Sequence, residues 1–134
     1  MRKLALILAG ISFFVTYSVA QSTDGTDKSS AHIKFSGIVY DYGSIEQNSE
    51  GICEFKFTNE GKSPLILSNV RSSCGCTVPN WPRNPLGTGE EATIKVKYNT
   101  TRIGSFSKSI TVYSNGSEQP IILRIKGKVV NKTS

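Results

Sequence analysis

Cys74-Gly75-Cys76 is the stretch of this chain whose side chains could do chemistry, and with Cys53 it accounts for every cysteine. Two thiols two residues apart have three uses. They can close a disulfide that braces a loop, exchange with other disulfides, or offer soft ligands to Cu(I) or Zn(II). Structural zinc prefers four ligands, and the cysteines are joined by a single histidine, His32. An exchanging thiol needs a helix N-terminus or a nearby cation to lower its pKa. No helix is predicted here, and Arg71 is the nearest basic residue along the chain. The structural reading demands least, so the cysteines are read first as a disulfide bracing the loop after the third strand, second as a redox site and third as a metal site.

Two pairings compete. In an extended strand, residues i and i+2 lie about 6.6 Å apart, whereas a disulfide wants about 5.5–6 Å between Cα atoms. Closing Cys74 on Cys76 therefore asks Gly75 for a tight turn. Cys53 bonded to Cys74 or Cys76 would instead close a loop of a little over twenty residues, for about 3 kcal/mol on the chain-entropy model.

Other chemistry is thin. His32 opens the first predicted strand, at the end of the domain opposite the cysteines, so a Cys-His dyad is not expected. Glu90 and Glu91 are adjacent on a strand and point to opposite faces, which does not make a facing acid–base pair. No phosphate-cradling glycine loop precedes a helix. Asn99-Thr100-Thr101, Asn115-Gly116-Ser117 and Asn131-Lys132-Thr133 match glycosylation sequons, but read better as turns. Arg124, Lys126 and Lys128 form a basic stripe. It could meet an acidic glycan, but is read first as a solvated face that discourages edge pairing. Trp81 sits in a loop rich in proline and glycine. It is expected to anchor that loop by packing, and the loop is a candidate interaction surface. The chain is read as a non-enzyme with no cofactor.

The elements that position these residues are strands. From His32 onward apolar residues alternate with polar ones, the mark of strands with one buried face. Ile33, Phe35, Ile38 and Tyr40 mark a first strand, with a bulge at Ser36-Gly37. It ends at 41–44 and a polar connection follows to Gly51. Cys53, Phe55 and Phe57 face inward against Glu54 and Lys56 outward. Leu65 to Val70 form a third strand leading into Cys-Gly-Cys. Pro79, Pro82, Pro85, Gly87 and Gly89 mark a long surface loop. Ala92, Ile94, Val96 and Tyr98, then Phe106, Ile110 and Val112, then Ile121, Leu123 and Ile125 give three further inward faces. The pattern predicts an all-β, antiparallel sandwich of about seven strands with Greek-key connections.

The chain of 134 residues holds one such domain. Arg2 and Lys3 precede an apolar run from Leu4 to Tyr17, shorter than the roughly 20 residues of a spanning helix, and Ser18-Val19-Ala20 supplies a cleavage pattern. Residues 1–20 are thus read as a signal peptide, 21–31 as a flexible polar spacer, and 32–131 as the domain. The protein is expected to be exported, periplasmic or secreted, without stable membrane insertion after cleavage. Loss of Arg2 and Lys3 lowers the formal net charge from +6 to +4. Nucleic-acid binding would want a concentrated basic patch interleaved with aromatics, so no nucleic-acid partner is expected.

The order of the pieces is more specific than their composition. Tyr40-Asp41-Tyr42-Gly43-Ser44-Ile45 precedes Phe55-Lys56-Phe57-Thr58-Asn59-Glu60-Gly61, then Pro64-Leu65-Ile66-Leu67 and Ser73-Cys74-Gly75-Cys76-Thr77. Pro85 to Gly89, Gly104-Ser105-Phe106, Ser114-Asn115 and Ile125-Lys126-Gly127-Lys128-Val129 follow. From about Ile33 to Val129 the chain resembles the bacterial exported family called domain of unknown function 1573, itself similar to immunoglobulin-like domains of the hydin and major-sperm-protein type. The resemblance implies an immunoglobulin-like β-sandwich with no established activity. It implies a binding or scaffolding module whose partner is a protein or glycan in the envelope or outside the cell. Its signature includes Cys74 and Cys76, and Cys53 is an addition to it. On that ground Cys74–Cys76 is the favoured pair, with Cys53 buried and reduced. The runner-up function is a thiol-disulfide or copper-handling protein using Cys-Gly-Cys.

Overall fold

The computed structural model describes residues 30–133, together with Gly10. The signal-peptide segment and nearly all of the spacer lie outside the described residues. Eight strands follow one another: β1 (Ile33–Phe35), β2 (Val39–Glu46), β3 (Gly51–Asn59), β4 (Leu67–Ser72), β5 (Thr77–Asn80), β6 (Glu91–Tyr98), β7 (Gly104–Ser114) and β8 (Ile121–Val130). They form two four-stranded sheets, ordered β1-β3-β6-β5 and β2-β8-β7-β4. The chain changes sheet in five of its seven connections. Only β5–β6 and β7–β8 are joined within one sheet.

The alternation predicted for β3, β6, β7 and β8 is what packs the sheets together. Phe57, Ile94, Val96, Ile110, Val112, Leu123, Ile125 and Val129 are buried between them, while Lys56, Lys95, Arg124 and Lys126 face solvent. Ala31, placed in the spacer by the sequence reading, is buried in the same core as Ile33.

Five details differ from the pattern read in the sequence. The stretch from Ile33 to Tyr40 is two strands rather than one bulged strand. At residues 36–38 the chain leaves β3's sheet and crosses to join β8. Asp41-Tyr42-Gly43-Ser44 does not end the strand but bulges it. Between Asp41 and Ser44, the two residues Tyr42 and Gly43 of β2 are matched by Gly127 alone on β8, Gly43 takes φ +63°, and its N–H donates to Asp41 Oδ1 at 2.8 Å. One extra residue is what a bulge absorbs, and β2 continues beyond it to Glu46. The β2–β8 pair is parallel, so its sheet is mixed. Finally, Thr77–Asn80 is a strand despite Pro79. Val78 lies opposite Lys97 and Asn99 N–H donates to Cys76 O at 2.8 Å. In that register Pro79 turns its missing N–H to the free edge, where no ladder bond is lost. The preceding strand is also displaced: β4 starts at Leu67, and Leu65 makes an isolated bridge to Leu86.

Candidate functional site

The Cys-Gly-Cys turn carries the chain from β4, at the edge of one sheet, to β5, at the edge of the other. The Ser72 hydroxyl donates to Cys74 O at 2.6 Å, and Ser73 N–H to Ser109 O at 2.9 Å. Cys76 N–H points at Cys74 Sγ, 3.2 Å away. The two sulfurs are in bonding contact and the Cα atoms stand 5.3 Å apart. That is shorter than the extended i to i+2 spacing, so the chain does turn here. Gly75 is not left-handed, however, and a Cβ on it would meet open space. The turn does not need glycine for conformational reasons.

Cys53 is free and buried. It lies opposite Val96, which lies opposite Pro79. Two strand spacings and three residues along β5 place it roughly 14 Å from Cys76. Cys74, held 5.3 Å from Cys76, stays beyond the limit of about 7 Å for a disulfide. The alternative pairing through Cys53 is thus out of reach in this fold. Burial raises the Cys53 thiol pKa, opposed by a hydrogen bond with Tyr42 and assisted by the charge of Glu54. This is an unreactive setting for a thiol.

Next to the turn lies a groove of about 500 Å³, lined among others by Cys76, Val78, Lys97, Tyr98 and Asn99. Val78 on β5 and Ile52 on β3 flank Lys97 in one row across three strands. Both aliphatic side chains are exposed on the outer face. This row was not legible in the sequence because β5 was read as loop. The alternation of Thr77 inward and Val78 outward is the signal that could have found it, once proline is allowed at an edge.

The remaining sequence candidates fall elsewhere. Trp81 is partly buried against the core, and the Arg83 guanidinium lies over its ring at 3.6 Å. Its Nε1 is enclosed and has no hydrogen-bond partner among the described residues. His32 sits beside the far end of β3, its backbone N–H donating to Asn59 Oδ1 at 3.3 Å. Glu90 and Glu91 diverge: Glu90 Oε2 accepts from Gly87 N–H at 2.8 Å, and Glu91 pairs with Lys56 at 2.8 Å. Two sequon asparagines are engaged in turns. Asn99 Oδ1 accepts from Thr101 N–H at 3.0 Å. Asn115 Oδ1 accepts from Ile66 N–H at 2.8 Å and Nδ2 donates to Pro64 O at 3.0 Å.

A two-sheet sandwich with this strand order, closed at one edge by a Cys-Gly-Cys turn, is an immunoglobulin-like domain. The chain belongs to the family described as protein of unknown function DUF1573, whose model matches residues 33–129. No curated protein matches it. Solved structures share its fold at low identity. A protein of unknown function from Porphyromonas gingivalis W83 is 13% identical, with a TM-score of 0.66 over 73% of this chain and 46% of that one. This chain therefore spans less than half of that protein's length. The ASH / PapD-like domain 7 of human CEP192 is 8% identical, with a TM-score of 0.63 over 78% of this chain and 89% of that one. A chain of the CsuC–CsuE chaperone–tip adhesion subunit complex of Acinetobacter baumannii is 14% identical, with a TM-score of 0.54 over 74% and 56%.

Proposed function

We propose that this protein is an exported, non-catalytic binding or scaffolding module that meets a protein or glycan of the envelope or the cell exterior through its Cys-Gly-Cys end. The observation that carries this reading is the exposed Ile52–Lys97–Val78 row beside the groove at Cys76. Aliphatic side chains held outward on rigid strands, around one cation, suit a contact surface better than a reaction centre. The fold is shared with a subunit of a chaperone–adhesin complex, which makes a contact role reasonable without naming a partner.

The test is capture from the native envelope by cross-linking, comparing the wild type with Val78→Glu. The variant is expected to lose most of what the wild type captures. Equal capture by both would overturn the contact surface. Export is tested by sequencing the N-terminus of protein from the exporting host: a start at Gln21 is expected, and an intact Met1 in the membrane fraction would contradict it.

The second reading, thiol-disulfide or copper handling, is favoured by one feature: the Cys74 and Cys76 sulfurs meet in a half-buried surface turn. A thiol count on native protein with and without reductant, beside copper analysis, separates the two readings. A single unreactive Cys74–Cys76 bridge supports the module. A readily reduced pair, or stoichiometric copper, supports the alternative.

A further inference from the structure

The two outer faces of the sandwich handle their charge differently. On the β1-β3-β6-β5 sheet three of the four strand lysines are matched with carboxylates, Lys97 being the exception: Lys34 with Glu60 at 3.5 Å, Lys56 with Glu91 at 2.8 Å, and Lys95 with Glu54 at 3.8 Å. On the other sheet Arg124, Lys126 and Lys128 project from alternate positions of β8, about 7 Å apart along the strand. Among the described residues, the one carboxylate within 4.0 Å of any of them is Asp41, at 4.0 Å from Lys126. Arg71, exposed on β4, adds a further cation to that face.

The stripe is not a guard against edge pairing. Such a guard belongs on an edge strand, and β8 is internal, hydrogen-bonded to β2 on one side and β7 on the other. A second feature lies alongside. Ser105, Ser107 and Ser109 of β7 stand directly opposite Lys128, Lys126 and Arg124, and Arg124 Nη1 donates to Ser107 Oγ at 3.2 Å. A row of cations thus runs parallel to a row of neutral hydroxyls on the outer face of this sheet.

We propose that this face binds a linear, carboxylate-bearing polysaccharide, the cations of β8 pairing with its acid groups and the serines of β7 with its hydroxyls. Charge complementarity selects a polyanion. The hydroxyl row selects a sugar polymer over a nucleic acid, since a single-strand surface would present stacking aromatics and no aromatic is interleaved with these six residues. Ser109 adjoins the Cys-Gly-Cys turn through Ser73, but the cations of β8 lie on the opposite sheet from the Ile52–Lys97–Val78 row, so this site stands or falls independently of the contact surface proposed there.

The experiment measures retention of the full exported chain on immobilised polygalacturonate and on neutral dextran, across a salt series. Two double variants lose the same net charge: Arg124→Gln with Lys126→Gln, and Lys56→Gln with Lys95→Gln. The wild type is expected to be retained by polygalacturonate beyond dextran, increasingly so at low salt. The β8 pair is expected to weaken this about tenfold or more, and the β3–β6 pair less than about twofold. Lys128→Gln alone, a single solvent-face change, is expected to weaken it in the same direction should the double variant fold poorly. No retention beyond dextran would overturn the proposal, as would equal loss in both double variants. Tighter binding to duplex DNA or to phosphatidylglycerol vesicles than to polygalacturonate, at the same salt, would also overturn it.

Discussion

The phenol of Tyr42, on β2, donates to the Gly51 carbonyl at the start of β3 at 2.8 Å, tying one sheet to the other. The Tyr42 ring rests on Phe106, with centroids 5.6 Å apart, and Phe106 stacks on Tyr98 at 3.8 Å. Gly127 leaves room for this: a Cβ there would come within 2.9 Å of Tyr42 Cβ and 3.0 Å of Phe106 Cζ. Tyr42→Phe keeps the ring and deletes the inter-sheet bond, so it should cost about 1–2 kcal/mol. Urea denaturation reads this directly; an unchanged midpoint would mean water replaces the phenol without loss.

The same corner should make the fold sensitive to alkali. Burial, then the neighbouring Cys53 and Tyr40, push the Tyr42 phenol well above its ordinary range, and burial pushes the Cys53 thiol up. Both groups hold their protons more tightly folded than unfolded. Their contribution is complete below the unfolded thiol pKa of about 8.5 and is lost as pH rises, first through Cys53 and then, above about 10, through Tyr42. Melting temperature should therefore fall above about pH 8.5. In Cys53→Ala the decline should begin later, and an unaltered onset would remove Cys53 as its source.

Phe57 is fully buried, while its neighbour Lys56 is exposed and paired with Glu91. Phe57→Ala should cost about 3–5 kcal/mol, and Lys56→Ala less than about 1 kcal/mol, the range of surface ion pairs. Equal small losses in denaturant melts would show β3 to be in the wrong register, since a one-residue slip exchanges its two faces.

Asn59 should prove the costliest polar side chain to remove. It is fully buried; its Oδ1 accepts from the N–H groups of His32 and Gly61, and its Nδ2 donates to Ser63 O and Leu86 O. It thereby ties the start of β1 to the turn after β3 and to the 81–90 loop. Asn59→Ala should cost about 2–4 kcal/mol, because four hydrogen bonds to the backbone are lost together from a buried side chain. Asn115→Ala, with two such bonds at an exposed position, should cost about half as much. Similar midpoints for the two variants would show that burial is not what makes Asn59 matter.

What the amino-acid sequence determined by itself was local and periodic. Inward and outward faces of β3, β6, β7 and β8 follow from alternation, because successive side chains of a strand point to opposite sides and only one side can be buried. The Cys-Gly-Cys stretch stood out for its residue types alone. Partnership between distant strands was decided only by tertiary structure. Whether Ser36-Gly37 bulges a strand or carries it to the other sheet depends on where β3 and β8 lie. Whether Pro79 breaks a strand depends on which side of it is an edge. The distance from Cys53 to the other cysteines depends on the strand placed between them. The same holds for the basic stripe. Arg124, Lys126 and Lys128 read alike on an edge or a central strand, and only the pairing of β8 with both β2 and β7 separates a guard against aggregation from an open charged face.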